Sequence, residues 1–129
     1  MELGGHGNVG QILSQLRSTL IAHGYTSQAA TELWNFPTIA TFSGQLEKAG
    51  FEVQYAHLVD RPTELTSTEA GIIDWLSMFC SSFFEGVPDD QAIIIKQEVQ
   101  EALRDPLFKD GKWFADYRRL RVMASKTAS

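Results

Sequence analysis

The residues best suited to chemistry gather at the start of the chain. Gly5-His6-Gly7-Asn8-Val9-Gly10 fits the G-x-G-x-x-G spacing, whose glycines let a pyrophosphate approach a helix N-terminus. That spacing signals a dinucleotide only when a strand precedes it, and too few residues precede Gly5 to form a buried first strand. The simpler reading is a glycine-rich turn into a helix, with a generic anion site at that helix N-terminus left open. His6, His23 and His57 share no zinc spacing, Cys80 adds little, and no metal site is expected. His23 suits a helix C-terminus and His57 a partly exposed strand. His6 is the histidine in a loop able to line a cleft, and would be the base if the chain were an enzyme in its own right. G-x-S-x-G, H-E-x-x-H and G-x-x-x-x-G-K-[ST] are absent from the sequence. Asp89-Asp90 reads as an acidic pair favoured by a helix dipole rather than as metal ligands.

Two further groups bear on binding. Arg118, Arg119 and Arg121 lie near Trp113 and Tyr117, a mixture that can hold single-stranded nucleic acid. Against this, Lys plus Arg is 11, Asp plus Glu is 16 and the net charge is −5, so the field is wrong for phosphate and no nucleic-acid partner is expected. The arginines read instead as a solvated or salt-bridged strand face. The aromatic set is Trp34, Phe36, Trp75, Phe79, Phe83 and Phe84. Trp75, Phe79 and Phe83 recur every fourth residue and form one helical stripe. Such a stripe ordinarily packs a core; its other use is the apolar wall of a ligand cleft.

These residues must be held by elements that the periodicity outlines. Asn8 should cap a helix carrying Val9, Ile12, Leu13, Leu16 and Leu20, with His23 and Gly24 at its end. Residues 25–37 read as irregular. Thr38 to Ala49 forms the next helix, closed by Gly50. Phe51, Val53, Tyr55 and His57 then alternate as a strand, which Asp60-Arg61-Pro62-Thr63 should break. Thr66 and Glu69 make a capping box for an apolar helix through Phe84, punctuated by Gly86 and Pro88. A helix over Asp89–Arg104 turns Ile94, Ile95, Val99 and Ala102 or Leu103 inward. Asp110-Gly111 is a turn, Trp113–Ala124 a long strand, and Ser125–Ser129 a frayed tail.

The length of 129 residues, 43% of them hydrophobic and 21% charged, suits one globular domain with its own core. A lone cysteine excludes a disulfide scaffold. No apolar run reaches the ~18 residues of a membrane span, and the first residues lack a signal peptide's basic and apolar regions. A soluble cytoplasmic protein with no membrane partner is expected. Two strands alone make a marginal sheet, so helices must cover them.

Taken in order, several segments resemble one family. Glu2-Leu3-Gly4-Gly5-His6-Gly7-Asn8-Val9 is similar to the end of the fifth strand in class I S-adenosylmethionine-dependent methyltransferases, closest to the small-molecule, trans-aconitate methyltransferase-like branch. The similarity continues through Trp34-x-Phe36-Pro37-x-Ile39, Leu46-Glu47-x-x-Gly50-Phe51-x-Val53 and Asp60-Arg61-Pro62-Thr63-x-Leu65. It extends through Gly71-x-x-x-Trp75-Leu76 to Asp110-Gly111-x-Trp113-x-x-Asp116-Tyr117-x-Arg119-Leu120-Arg121 and Ala124-x-Lys126. The resemblance implies the C-terminal half of a Rossmann-like fold. It would be one α/β domain over 1–129, with helices on a small, mainly antiparallel sheet. Phe51–Leu58 would be the sixth strand and Trp113–Ala124 the seventh, antiparallel to its neighbours and lying between the fifth and the sixth. The helix at 9–23, the Trp34–Pro37 segment and a helical insert over 69–104 would form a lid over the substrate.

The same resemblance sets expectations for the site. His6, Trp34, Phe36, Trp75 and Phe79 become candidate contacts to a small-molecule methyl acceptor; no catalytic residue is assigned. S-adenosylmethionine is implied for the full-length family, whose cofactor motifs precede this segment, so no cofactor is expected on this chain alone. The chain would be inactive by itself, or active only with a separate N-terminal half. The alternative is a non-catalytic binding or oligomerisation module using the aromatic cleft or an open sheet edge. With the fifth strand cut to a few residues, strand 113–124 should expose Trp113, Phe114, Tyr117, Leu120 and Val122 along an open edge, and homo-oligomers should form there.

Overall fold

The computed structural model describes residues 1–66 and 70–126, which fall into two compact units. The first holds Met1–Asn8, Asn35–Pro62 and the chain from Tyr117 on. Its strands are β1 (Glu2–Gly4), most of β2 (Phe51–Glu64) and most of β3 (Lys112–Lys126), in the order β1-β3-β2. β1 runs antiparallel to β3, pairing Glu2 with Arg121, Leu3 with Leu120 and Gly4 with Arg119. The Met1 ammonium donates to Val122 O at 3.0 Å, and Val122 N donates to Met1 O at 2.8 Å. On the other side of β3, the pairs Gln54–Ser125 and Asp60–Arg118 run in opposite order along the two strands, so this pairing too is antiparallel. The expected open edge along 113–124 is therefore corrected over Arg119–Val122. Four residues satisfy that stretch of backbone, and β3 is the middle strand.

β2 is longer than its sequence suggested. Asp60-Arg61-Pro62-Thr63 does not break it; the strand continues to Glu64. Asp60 Oδ1 accepts from Arg118 Nε at 2.9 Å, and Pro62 is tolerated because β2 ends the strand order. The alternation also slips: Gln54 and Tyr55 are exposed in succession and Leu58 and Val59 half-buried in succession, so Tyr55 leaves the face of Phe51 and Val53, while His57 is an exposed strand residue. The helix before it, α1 in this unit (Ile39–Lys48), starts as its sequence indicates. The Thr38 hydroxyl oxygen accepts from Thr41 N at 3.1 Å, and Gly50 closes the helix at φ 93°. None of its residues is buried.

The second unit, Val9–Trp34 and Thr63–Asp116, carries the dense core. Its helices are α2 (Gly10–Ala22), α3 (Thr26–Ala29), α4 (Gly71–Phe79), α5 (Asp89–Ala102) and α6 (Arg104–Leu107), with a 3-10 turn at Ser81–Phe84. Ile12, Leu16, Leu20, Ile72, Leu76, Phe83, Ile95 and Val99 are fully buried, and Trp113 nearly so. α2 packs on α3 and α5, and α4 on α5. Asp110 and Gly111, both at positive φ, turn a hairpin that pairs β4 (Phe108–Lys109) with β3 through Phe108–Trp113 and Lys109–Lys112.

Three expectations change here. Val9, in the left-handed region at φ 47°, is the N-cap residue of α2, and it offers no side-chain cap. The acceptor comes from Asp116, whose Oδ2 takes Gln11 N at 2.8 Å. The helix expected to run to Phe84 stops at Cys80. Ile94 is exposed, while Ile95, Val99 and Leu103 face in. Glu69 of the capping box and the end of the tail, 127–129, lie outside the described residues. No helix among the described residues is long and apolar enough to cross a membrane. The architecture is α/β, with helices packed on a small antiparallel sheet, compatible with the C-terminal half of a methyltransferase.

Candidate functional site

In the sheet unit, the glycine loop leaves β1 and is closed by its own surroundings. A Cβ on Gly4 would lie 2.9 Å from Phe36 Cε1, and one on Gly5 would lie 2.5 Å from Leu58 Cδ1 and 3.1 Å from Leu120 Cβ. Gly7 sits at φ 85°, and a Cβ there would meet Arg118 Nη1 at 3.0 Å. The glycines thus let the loop lie flat against Phe36, Leu58, Leu120 and Arg118. The space over Gly4, Gly5 and Gly7 is taken by protein, whereas Gly10, at the helix start, meets nothing within 4 Å.

Arg118 is the clip, and the sequence did not single it out for this. Its Nε donates to Asp60 Oδ1 at 2.9 Å, its Nη1 to His6 O at 3.2 Å and its backbone N to Asn8 Oδ1 at 2.6 Å. Gly5 N donates to Arg118 O at 3.0 Å, and His6 N to Pro37 O at 3.0 Å. The loop is fixed on both sides, and the His6 side chain stays exposed. Phe36, half-buried, packs on Gly4 beside it. Arg61, Arg119 and Arg121 lie 3.4, 3.4 and 3.6 Å from the Glu2 carboxylate. These exposed pairs are worth about 0–1 kcal/mol each, and they make the arginine run a salt-bridged strand face.

In the helical unit, three of the candidate side chains meet. Trp75 is the middle ring, 4% exposed, with Trp34 at 6.3 Å and Phe79 at 5.3 Å, each tilted by about 50°. The outer rings are open, Trp34 by 37% and Phe79 by 47%. Their helical spacing brings Trp75 and Phe79 together. Phe83 leaves that stripe because the chain breaks at Cys80 (φ −119°, ψ 23°) and the 3-10 turn rotates the ring into the core under Arg17, 5.1 Å from its guanidinium. Arg17 Nη1 also donates to Ala29 O at 2.7 Å and Thr31 O at 3.0 Å, which holds the segment leading to Trp34. The structure thus groups Trp34, Trp75 and Phe79 in one unit, and His6 and Phe36 in the other.

Cys80 supplies no nucleophile. It is fully buried, and burial pushes its thiol up to about 12, opposed weakly by the Arg17 charge; the reactive form is the thiolate. A thiol reagent at pH 8 should label Cys80 only after unfolding, and stoichiometric labelling of the folded chain would contradict this. The folded value lies above the unfolded one, so the linked stability is complete below about pH 9 and declines as pH rises toward 12. Among the described residues, no three His, Cys, Asp or Glu side chains gather as a metal group.

No family model matches the sequence. Over 127 residues, 97% of this chain, it is 34% identical to an uncharacterized methyltransferase of Schizosaccharomyces pombe. The match takes in 48% of that protein, so the chain spans about half the length of the relative it matches. The chain is thus related to a methyltransferase along nearly all of its own length.

Proposed function

We propose that this chain is the substrate-side, C-terminal half of a small-molecule methyltransferase of the trans-aconitate-like branch, dependent on S-adenosylmethionine and inactive without a cofactor-binding half. The observation that carries this reading is the match itself, nearly complete for this chain and half-length for the S. pombe protein. The strand order β1-β3-β2 supports it, because it places the middle strand as the resemblance places the seventh, between the fifth and the sixth. The filled glycine loop supports the division of labour, since the one glycine-rich segment is used for packing.

The acceptor side is the aromatic ladder. A buried central ring with two open neighbours offers a rigid apolar wall to a small molecule. His6, held exposed by the Arg118 clip, and Phe36 are the polar and apolar candidates of the sheet unit. What such a half contributes to catalysis is the placement of the acceptor.

Calorimetry tests the reading. S-adenosylmethionine titrated into the purified chain should give no binding tighter than about 100 µM, roughly −5.5 kcal/mol. The chain mixed with the unmatched half of the S. pombe protein should bind the cofactor. A tight site on the chain alone would overturn the division into halves.

A further inference from the structure

The two units differ in how well they bury their own apolar surface. In the sheet unit, among the described residues, the buried aliphatic side chains of the strands are Leu120 and, less completely, Val122, and neither α1 nor β2 has a buried residue. At the end of the sheet where β1 begins lie two clefts. One, of about 360 Å³, opens between Leu46 and Phe51; the other, of about 310 Å³, lies between Tyr55 and Arg121. They share a rim of Met1, Val122 and Met123. Met1 is 72% exposed, Met123 62% and Tyr55 51%. Methionines re-pack readily around an incoming side chain, and these exposed apolar side chains sit together around the two clefts.

The charge beside the rim narrows the partner. Glu2 lies against both Arg119 and Arg121, so among the described residues this strand face carries two guanidinium groups to one carboxylate, in a chain of net charge −5. A second copy docking the same patch about a two-fold axis would set arginines against arginines. A partner bringing a carboxylate meets a complementary field. About half of the relative's length lies outside this chain, which is enough polypeptide for a partner domain.

We propose that the Met1–Val122–Met123 rim is the docking surface for the cofactor-binding half, which fills the two clefts with apolar side chains and sets an acidic residue against Arg121. This rests on the reading of the chain as half of a methyltransferase.

The experiment co-expresses the full chain with a separate polypeptide comprising the unmatched half of the S. pombe relative. It follows affinity by calorimetry and amide exchange by mass spectrometry. A one-to-one complex is expected, with exchange slowed at Met1–Gly4, 51–55 and 122–124. Met123→Glu and Arg121→Glu should each weaken it at least tenfold, and Ile94→Glu, on an exposed residue of the helical unit, should not. A complex indifferent to Met123→Glu, with protection confined to 71–103, would overturn the docking surface and leave the half-enzyme reading standing. No complex at 100 µM would overturn both. Self-association abolished by Met123→Glu would overturn the inference in favour of a second copy.

Discussion

Replacing Trp113 by alanine is expected to destabilise the helical unit by about 3–5 kcal/mol, the range for deleting a buried aromatic ring. Trp113 is 1% exposed and packed on every side. The Phe108 ring lies 4.9 Å away, tilted by 52°, the Arg104 guanidinium lies 5.2 Å over the ring, and the Gly71 backbone presses against its Cβ. A Cβ on Gly71 would sit 2.7 Å from Trp113 Cβ, so α4 starts at a glycine because the indole leaves room for nothing larger. Arg104 also pairs with Glu101 at 2.7 Å, and that pairing keeps the Glu101 carboxyl below its ordinary value. Total stabilities run at about 5–15 kcal/mol, so this single change takes away a large share. Urea unfolding would measure it; a loss under 1.5 kcal/mol would mean that the ring is not the keystone its burial indicates. Gly71→Ala should cost about 1–3 kcal/mol by overpacking the same contact.

What could be read from the sequence was the local part. A helix beginning near Thr38, Gly50 ending it and Asp110-Gly111 turning the hairpin depend on residues a few positions apart, and they appear as their types dictate. The spacing of Trp75 and Phe79 likewise fixed that they touch. The features that went astray are those where a distant group outcompetes the local one. Asn8 looked like a cap, but Arg118 N, 110 residues away, takes its oxygen, and Asp116 serves the helix instead. Asp60 and Pro62 looked like a strand break, but the salt bridge to Arg118 and the edge position hold the strand straight. The G-x-G-x-x-G spacing is real, yet the space above Gly5 and Gly7 is filled by Leu58, Leu120 and Arg118, and Gly10 meets nothing within 4 Å. Trp34 joins the ladder through Arg17, which binds the carbonyls of Ala29 and Thr31 before it. No periodicity records such a contact.

Gln100 is the clearest of these hidden contacts, and it gives the second large effect. It is polar and 6% exposed on the core face of α5, a position where burial without partners is costly. Its Oε1 accepts from Ile72 N at 3.1 Å and from Ile73 N at 3.2 Å, 28 and 27 residues away. Those are amides of the first turn of α4, which has no side-chain cap on Ala70, so a residue of a neighbouring helix satisfies donors that a helix leaves unpaired at its start. Gln100→Leu keeps the size and removes the acceptor. Ile72 is fully buried, which denies water to its amide, and the loss is expected at about 2–4 kcal/mol for two amides left unsatisfied. Because α4 carries Trp75 and Phe79, the variant should also quench the ordered environment of the ladder, seen as weakened near-ultraviolet circular dichroism before global unfolding. Gln100→Glu separates capping from packing. A carboxylate keeps the acceptor and suits a helix N-terminus, while burial opposes its charge, so it should recover part of the loss at neutral pH. As pH falls and the carboxylate takes up a proton, that recovery should fade. If the leucine and glutamate variants were equally unstable at pH 7, the two hydrogen bonds would not be what anchors α4, and the ladder would owe its position to packing against α5 alone.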